Sequence, residues 1–446
     1  MIYPRRLSVI RLLLTLCAFT GALRGLPCQA VPLTVLHTFG PGGPIRSKRG
    51  DRPALDGARP FSALLQGRDG ALYGTTANGG AHGSGTVFRV SPDGTGFTVL
   101  HSFDTLQFGL FAGLTNSVGA QPVGTLVQAS DGTLYGAAEI GGSAGSGLIF
   151  RLQPDGAGFQ VIHSFGRVSE WVTGRNGGGA APEALTLAAD GLLYGVAFDE
   201  GPDEGGVIFK LNQDGKGFQV LHAFRGVVRG KNTNEGGAQP EAAPVFGSNG
   251  ALYGTTISGG KGGCGVIYRM TAAGGQFTVL HHFQQTAPGF EAGGVLPEGS
   301  LTASTDGFLY GSTRQGGTNN GGTLFKIRLD GTGFAVLHTF SGASDDGDGR
   351  LPAATPILGR DGRLYGLTGA GGANAVGAVF WASTDGTKFS VIHDFGPPDA
   401  SWHNADGAYP RAGLLQGRDG ALYGVAAGGG SNGTGTVFRL LPPQAK

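Results

Sequence analysis

Four carboxylates crowd one short segment of this chain, at Asp199, Glu200, Asp203 and Glu204. Carboxylate oxygens are the ligands that hard cations take in proteins, so this segment is a candidate metal site with Ca²⁺ as the candidate ion. The spacing of the four residues differs from that of calcium-binding loops, and a solvated acidic loop is the competing interpretation. A second acidic stretch, at 345–348, resembles half of a calcium loop and lacks the distant glutamate.

Aromatic side chains beside polar groups form a second candidate site. Trp171 lies between Glu170 and Arg175, and Trp402 directly precedes His403. Exposed tryptophans near charged groups stack on sugar rings or peptides, which makes Trp171, Trp402 and His403 candidate ligand-binding residues. The alternative is that each indole packs against its own loop, as large apolar side chains commonly do.

The elements that must position these residues follow a sevenfold repeat. The tripeptide Leu-Tyr-Gly and the segment Val-Leu/Ile-His-x-Phe each occur seven times. The first six tyrosines are each followed by a histidine after 28 residues, whereas the interval from a histidine to the next tyrosine varies between 27 and 36 residues. A period near 58 residues indicates a propeller or an array of repeats. The recurring residues are Tyr73, Tyr135, Tyr194, Tyr253, Tyr310, Tyr365 and Tyr423, and His37, His101, His163, His222, His281, His338 and His393.

Each repeat has the pattern of four short antiparallel strands, here called A to D from the centre outwards. In the repeat 60–103, apolar segments at 62–65, 72–76, 86–90 and 97–103 are separated by Asp-Gly turns and one glycine-rich loop. Asp-Gly supplies the positive φ that a two-residue hairpin needs, and four strands per repeat is the pattern of a propeller blade. The glycine after each tyrosine leaves room for another ring or backbone to approach. The histidines fall one to a blade on strand D, which favours a buried, hydrogen-bonded role over a shared metal.

The first and last repeats are incomplete in complementary ways. Residues 33–39 carry the histidine signature of a strand D without the strands that should precede it, and the last repeat ends after strand C at 436–440. We therefore predict an all-β, seven-bladed propeller, a single domain over residues 31–446, in which residues 31–39 complete the last blade and close the ring. The predicted blades are 60–103, 122–165, 182–224, 240–283, 297–340, 352–395 and 410–440.

One face of such a ring varies more than the other. The A–B turns are uniform Asp-Gly or Asn-Gly pairs, whereas the D–A connections differ in length and sequence. The B–C loops and the D–A connections share one side of the ring, here called the loop-rich face. Because binding groups commonly reside on variable loops held by a rigid scaffold, this is the candidate functional face.

The first 30 residues predict a secretory signal peptide. Arg5, Arg6 and Arg11 precede an apolar run at 12–22, which is too short to span a membrane, and a small-residue cleavage site ends at Ala30. Cleavage there would leave a weakly acidic chain whose one cysteine, Cys264, cannot form an intrachain disulfide. We expect a secreted, periplasmic or extracellular monomer, with no membrane span after cleavage and no nucleic-acid partner.

The repeat unit resembles a known bacterial tandem repeat. The pattern Asp-Gly-x-Leu-Tyr-Gly-Thr-Thr, followed by paired glycines and Gly-Thr-Val-Phe-Arg, is similar to the GloVer repeat of secreted proteins, named for Gloeobacter and Verrucomicrobia. Residues 60–88 and 410–438 match it best, and the likeness extends over nearly all of the chain after the signal segment. The resemblance implies export and a repeat fold, and it implies no activity and no catalytic residues.

These observations favour a binding or scaffold module that acts through the loop-rich face. Carbohydrate or a cell-surface protein is the candidate partner. The alternative is a polysaccharide-active enzyme, a glycosidase or lyase, with an acidic site on the same face. For that alternative the acidic segment at 199–204 is the only group that the sequence nominates.

Overall fold

The computed structural model describes residues 31–41, 54–109, 113–166, 177–227, 233–284, 293–342, 347–352 and 354–444, and its secondary structure in these ranges is entirely β. The predicted signal peptide and Trp171 lie outside them. Within the same ranges there is no helix with the length and apolar character needed to cross a membrane.

In the described ranges, thirty strands form seven four-stranded antiparallel sheets in a ring and one small hairpin. Blade one contains β2 (Leu65–Gln66), β3 (Leu72–Thr76), β4 (Thr86–Val90) and β5 (Thr98–Ser102), and the hairpin β6 (Gln107–Gly109) and β7 (Gly113–Thr115) follows it. Blade two contains β8 (Val127–Gln128), β9 (Leu134–Ala138), β10 (Leu148–Leu152) and β11 (Gln160–Ser164). Blade three contains β12 (Ala180–Leu187), β13 (Leu193–Asp199), β14 (Glu204–Leu211) and β15 (Gln219–Arg225). Blade four contains β16 (Val245–Phe246), β17 (Ala251–Thr256), β18 (Gly263–Thr271) and β19 (Thr278–Gln284).

The remaining blades complete the ring in chain order. Blade five contains β20 (Thr302–Ala303), β21 (Phe308–Thr313), β22 (Thr323–Arg328) and β23 (Ala335–Thr339). Blade six contains β24 (Ile357–Leu358), β25 (Arg363–Thr368), β26 (Ala378–Ser383) and β27 (Phe389–Asp394). Blade seven contains β28 (Leu415–Gln416), β29 (Leu422–Ala426), β30 (Thr436–Leu440) and β1 (Leu33–Thr38). The predicted seven-bladed fold is therefore confirmed.

The ring closes as predicted, through the first strand. β1 pairs antiparallel with β30, from Leu33 opposite Leu440 to Thr38 opposite Thr436. Apolar burial holds it there, because Leu36 of β1 packs in a cluster that joins blade seven to blade one. This pairing covers the edge of β30, which would otherwise expose unpaired backbone groups.

The hydrophobic core lies between the blades. Seven buried clusters each combine side chains of two neighbouring blades. The repeated glycine makes this packing possible, because a Cβ on Gly74 would lie 2.5 Å from Cζ of Phe88 on the neighbouring strand. Tyr73 then anchors the A–B turn, since its hydroxyl donates to Asp69 at 2.8 Å. The glycine after each tyrosine thus admits a ring, as the sequence predicts.

The repeated histidines differ in their hydrogen bonds. In six of the seven cases the histidine of strand D stacks on a phenylalanine of the next blade, as His101 does on Phe159 with ring centroids 3.6 Å apart. In three blades its Nε2 also bonds an aspartate, whereas Nε2 of His101 is buried without a hydrogen-bond partner. The prediction of a hydrogen-bonded histidine in every blade is therefore wrong for His101, since the D–A connection after it offers no carboxylate at the matching position.

Innermost strands are shorter than their sequences suggest. The segment 62–65 of blade one was expected to form strand A, but Leu65 is the one residue of this described segment that is paired, as part of β2. β12 of blade three is the exception and extends over eight residues. The other inner segments run beside the channel largely without strand pairing, so their side chains and carbonyls border the central space.

Candidate functional site

The inner ends of the blades enclose a cavity of about 560 Å³. Its walls are the first residues of the inner segments, together with the residues that directly follow strands B of blades two, five and six, which are Glu139, Arg314 and Gly369. Both sets lie where the D–A connections and the B–C loops meet the channel, so the cavity opens on the loop-rich face. Cavities of this size are typical of sites for small ligands.

Four consecutive blades each place one glutamate in this cavity. Glu183, Glu241 and Glu298 occupy the same repeat position in blades three, four and five, directly after the proline that begins the inner segment. Glu139 of blade two reaches the cavity from the residue after β9. The blades thus form a carboxylate wall along one side of the channel.

Only one of these carboxylates has a cationic partner in the described structure. Nη1 of Arg314 donates to Oε1 of Glu298 at 2.7 Å, and the side chain of Glu298 is 15% exposed. The carboxylates of Glu139, Glu183 and Glu241 make no hydrogen bond or ion pair with any residue that the structure describes. All three residues are partly buried.

Burial and mutual repulsion make these glutamates hard to ionise. Desolvation, with added repulsion from Glu139 and Glu241, raises the pKa of Glu183 well above its usual range. Desolvation followed by repulsion from Glu298 raises the pKa of Glu241 to about 7. Desolvation also raises the pKa of Glu139. A positive charge that enters the cavity would favour the ionised form of Glu139, Glu183 and Glu241.

The opposite wall is mainly apolar. Phe61 and Ala63 come from blade one, Ile357 from blade six and Leu414 from blade seven. Arg411 lies on this side at the position that holds glutamate in blades three to five, and it is exposed. A ligand in the cavity would thus contact carboxylates on one side and hydrocarbon on the other.

The acidic segment of blade three lies elsewhere. Asp199 ends β13 and Glu204 begins β14, so the segment forms the tip of a hairpin whose residues Asp199, Asp203 and Glu204 are exposed. None of the four predicted metal-binding residues lines the cavity. Glu200 and Glu204 adopt positive φ values of 60° and 66°, which the tight turn of the hairpin requires.

Geometry gives the calcium hypothesis no support. Among the residues whose positions are described, no group of three or more His, Cys, Asp or Glu side chains is arranged to hold a metal ion. In the second acidic stretch, Asp348 instead accepts a hydrogen bond from Ser341 Oγ at 2.6 Å and lies 3.1 Å from Nε2 of His338. Calcium binding at the segment Asp199 to Glu204 stays a prediction.

The aromatic candidates are only partly described. Trp402 is 57% exposed, and its ring centroid lies 5.9 Å from that of Tyr409. His403 Nδ1 lies 3.7 Å from Oδ2 of Asp399. Trp402 and His403 belong to the D–A connection before blade seven and do not line the cavity. Ligand binding by Trp171, Trp402 and His403 stays a prediction.

The glutamate wall was not predicted from the sequence, although the repeats contain a signal for it. The residue after the proline of each Gly-x-x-Pro segment differs among otherwise uniform repeats, which marks it as free of the packing constraints of the blade. Three successive blades carry glutamate there, and such a run is visible when the repeats are aligned with one another. In chain order these residues are Phe61, Val123, Glu183, Glu241, Glu298, Ala353 and Arg411.

Comparison with known families and structures identifies the repeat and the fold. The family model described as the Gloeobacter/Verrucomicrobia repeat matches residues 46–178, 167–350 and 239–446. No curated protein sequence matches the chain.

Solved propellers resemble the chain at low sequence identity. The oligogalacturonate lyase of Vibrio parahaemolyticus has a TM-score of 0.53 and 10% identity, over 93% of this chain and 94% of the lyase. A putative 6-phosphogluconolactonase of Bacteroides uniformis has a TM-score of 0.48 and 16% identity, over 80% of this chain and 88% of that one. A chain of a nidogen/laminin complex has a TM-score of 0.41 and 14% identity, over 69% of this chain and 90% of that one. At these identities the likeness concerns the fold alone, and one fold serves many functions.

Proposed function

Because the chain belongs to the Gloeobacter/Verrucomicrobia repeat family and its repeated residues form the blade frame, we propose that its function resides in residues that differ between blades. The protein is a binding module that takes a small ligand into the cavity on the loop-rich face. The observation that carries this proposal is the convergence of Glu139, Glu183 and Glu241 on one cavity without protein partners. Partly buried carboxylates that lack partners are costly to stability, so their presence is better explained by a ligand than by folding.

The proposed module acts after export. Residues 1–30 have the arginine-rich start, the short apolar run and the small-residue end of a signal peptide. The ligand would then be one that occurs outside the cytoplasm, such as a saccharide, an amine or a segment of a cell-surface protein. Retention of the 1–30 segment in the protein as its host produces it, shown by mass spectrometry of the intact chain, would contradict this.

A ligand screen with cavity variants tests the site. The protein without residues 1–30 would be screened by thermal shift against neutral and uronic oligosaccharides, amines and short peptides, because a ligand well above its Kd raises the melting temperature. Hits would be repeated with Ala63→Trp, which fills the cavity, and with Glu241→Gln, which keeps its shape. Trp402→Ala is the matched control, since this exposed ring lies on the same face outside the cavity.

We expect a ligand to raise the melting temperature of the unmodified protein. Ala63→Trp should abolish this rise, Glu241→Gln should reduce it and Trp402→Ala should leave it unchanged. Binding in the cavity would be overturned if both cavity variants kept the full rise in melting temperature, or if no compound of the panel raised the melting temperature. A shift that only Trp402→Ala abolishes would instead place the ligand on the D–A connections, as the sequence predicts for Trp402 and His403.

One feature favours a polysaccharide-active enzyme as the second candidate. Glu241, with a pKa raised to about 7, interacts electrostatically with Glu298, whose carboxylate is ion-paired with Arg314. A carboxyl with a raised pKa beside an ion-paired carboxylate resembles the pair of acidic groups used in glycoside hydrolysis. Incubation with neutral and uronic polysaccharides, followed by detection of new reducing ends or unsaturated sugars, tests this candidate. Product formation that Glu241→Gln leaves unchanged would exclude Glu241 as the acid.

A further inference from the structure

The cavity carries an imbalance of charge. Its lining includes four glutamates and two arginines. Arg314 is bonded to Glu298, and Arg411 stands exposed on the far, apolar side. Glu183 is partly buried in the channel wall, and its carboxylate makes no hydrogen bond or ion pair within the described chain. No cation therefore bonds Glu183 or Glu241 within the described chain, although Arg314 interacts electrostatically with Glu241.

We propose that the ligand of the cavity is an organic cation, an amine or diamine whose ammonium groups bind Glu183 and Glu241. Its carbon chain lies against the apolar wall that includes Phe61, Ala63 and Leu414. This inference rests on the proposed binding function and names the chemical class of the ligand. Ammonium groups donate several charge-assisted hydrogen bonds to carboxylates, which are about twice as strong as neutral ones.

The distribution of the carboxylates favours an extended cation over a metal ion. A calcium ion needs all of its oxygen ligands about 2.3–2.6 Å from one point. The four glutamates come from four different blades around the channel, and no three acidic or metal-binding side chains in the described ranges are grouped for such coordination. A diamine separates its charges along a flexible chain and can contact carboxylates that do not share a point.

Binding should be coupled to the release of protons. The charged groups that face the cavity are Glu139, Glu183, Glu241, Glu298, Arg314 and Arg411. The raised pKa values of Glu139, Glu183 and Glu241, about 7 for Glu241, mean that these carboxyls keep their protons to a higher pH than solvated glutamates do. An entering ammonium group favours the ionised carboxylates and displaces those protons. Alkylammonium groups resemble the lysine side chain, with a pKa near 10, so they remain charged throughout the range from pH 6 to pH 8.

Calorimetric titration with defined probes tests the inference. The mature chain would be titrated at pH 6, 7 and 8 with 1,5-diaminopentane, with its neutral counterpart 1,5-pentanediol and with CaCl₂. Each titration would be repeated in two buffers of different ionisation enthalpy, which reveals proton release. Glu183→Gln and Glu241→Gln remove one charge each from the cavity. Glu235→Gln is the matched control, because Glu235 is an exposed glutamate in a D–A connection outside the cavity.

The diamine is expected to bind more tightly as the pH rises, with a heat that depends on the buffer, whereas the diol does not bind. Each cavity variant should weaken diamine binding about tenfold or more, and Glu235→Gln should leave it within about twofold. If calcium binds and the diamine does not, or if diamine binding is insensitive to Glu183→Gln and Glu241→Gln, the cation inference is overturned. If the diamine does not bind but a neutral saccharide does, and Ala63→Trp abolishes saccharide binding, the inference of a cationic ligand is wrong and the proposed binding function stands. If none of these probes binds, and none of the oligosaccharides, amines and peptides of the thermal-shift screen binds, both the cation inference and the proposed binding function are wrong.

Discussion

A single substitution, Val118→Asp, should make the protein more resistant to acid by giving His101 a carboxylate partner. The partner is already present for three other histidines of strand D. Each of these histidines has an aspartate oxygen 2.8–3.1 Å from its Nε2, and a glycine of positive φ directly follows that aspartate in the D–A connection. The pairs are His37 with Asp56, His338 with Asp348, and His393 with Asp406.

The connection after His101 has the backbone geometry to hold such an aspartate. In the connection that contains Asp406, the side chain of Asn404 receives the amide of Gly407 at 2.9 Å and donates to its carbonyl at 2.7 Å. Asn116 makes the same two bonds with Gly119, at 2.6 and 2.8 Å. The residue before Gly119 is Val118, which thus occupies the position of Asp406.

The magnitude follows from the titration of His101. Burial lowers its pKa to about 4, against about 6.5 for an unfolded histidine. Folding therefore favours the neutral ring, and the stability it contributes is complete above pH 6.5 and is lost as the pH falls towards 4. At pH 5 the loss is about 2 kcal/mol, or about 1–2 kcal/mol when solvent near the partly exposed ring is allowed for. A carboxylate at position 118 raises the pKa of the folded state and removes most of this loss.

Urea unfolding at pH 8 and pH 5, followed by circular dichroism, measures the effect. Val118→Asn is the matched control, because asparagine has nearly the same shape as aspartate but carries no charge. The Asp variant should gain about 1–2 kcal/mol over the Asn variant between pH 8 and pH 5. A difference between the two variants that stays constant with pH, or that reverses in acid, would refute the role assigned to His101.

Three further outcomes test the fold itself. Deletion of residues 31–39 removes β1 and should lower the melting temperature by about 10 °C or more, or prevent folding; an unchanged melting curve would contradict ring closure. Gly74→Ala should cost about 1–3 kcal/mol in urea unfolding because its Cβ would lie 2.5 Å from Phe88, whereas Gly177→Ala, which meets nothing within 4 Å, should be nearly neutral; equal costs would sink the packing argument. Asp406→Asn should lose about 1–3 kcal/mol at pH 7, since it weakens bonds to a histidine and to a backbone amide; an unaltered free energy of unfolding would show that this pair is dispensable.

Much of the fold could be predicted because its determinants are local. Asp-Gly turns, alternating apolar residues and the glycine after each tyrosine repeat within single blades, and each acts over a few residues. Ring closure could also be predicted, since residues 33–39 had no other partner than the unpaired β30. The lengths of the inner strands could not, because pairing near the channel depends on how closely seven blades approach one another.

By itself, the sequence determined the blade, the number of blades, the strand that closes the ring and the face that varies. Only the tertiary structure decided where the chemistry lies. Glu183, Glu241 and Glu298 are separated by whole repeats, and Glu139 follows strand B of blade two. All four meet because ring closure brings the same end of successive blades to one channel. Desolvation in the folded ring raises the pKa values of Glu139, Glu183 and Glu241, and repulsion from glutamates of other blades adds to the shifts of Glu183 and Glu241. The acidic segment at 199–204 attracted notice because its carboxylates are neighbours in sequence, yet it forms the tip of one hairpin and does not line the cavity.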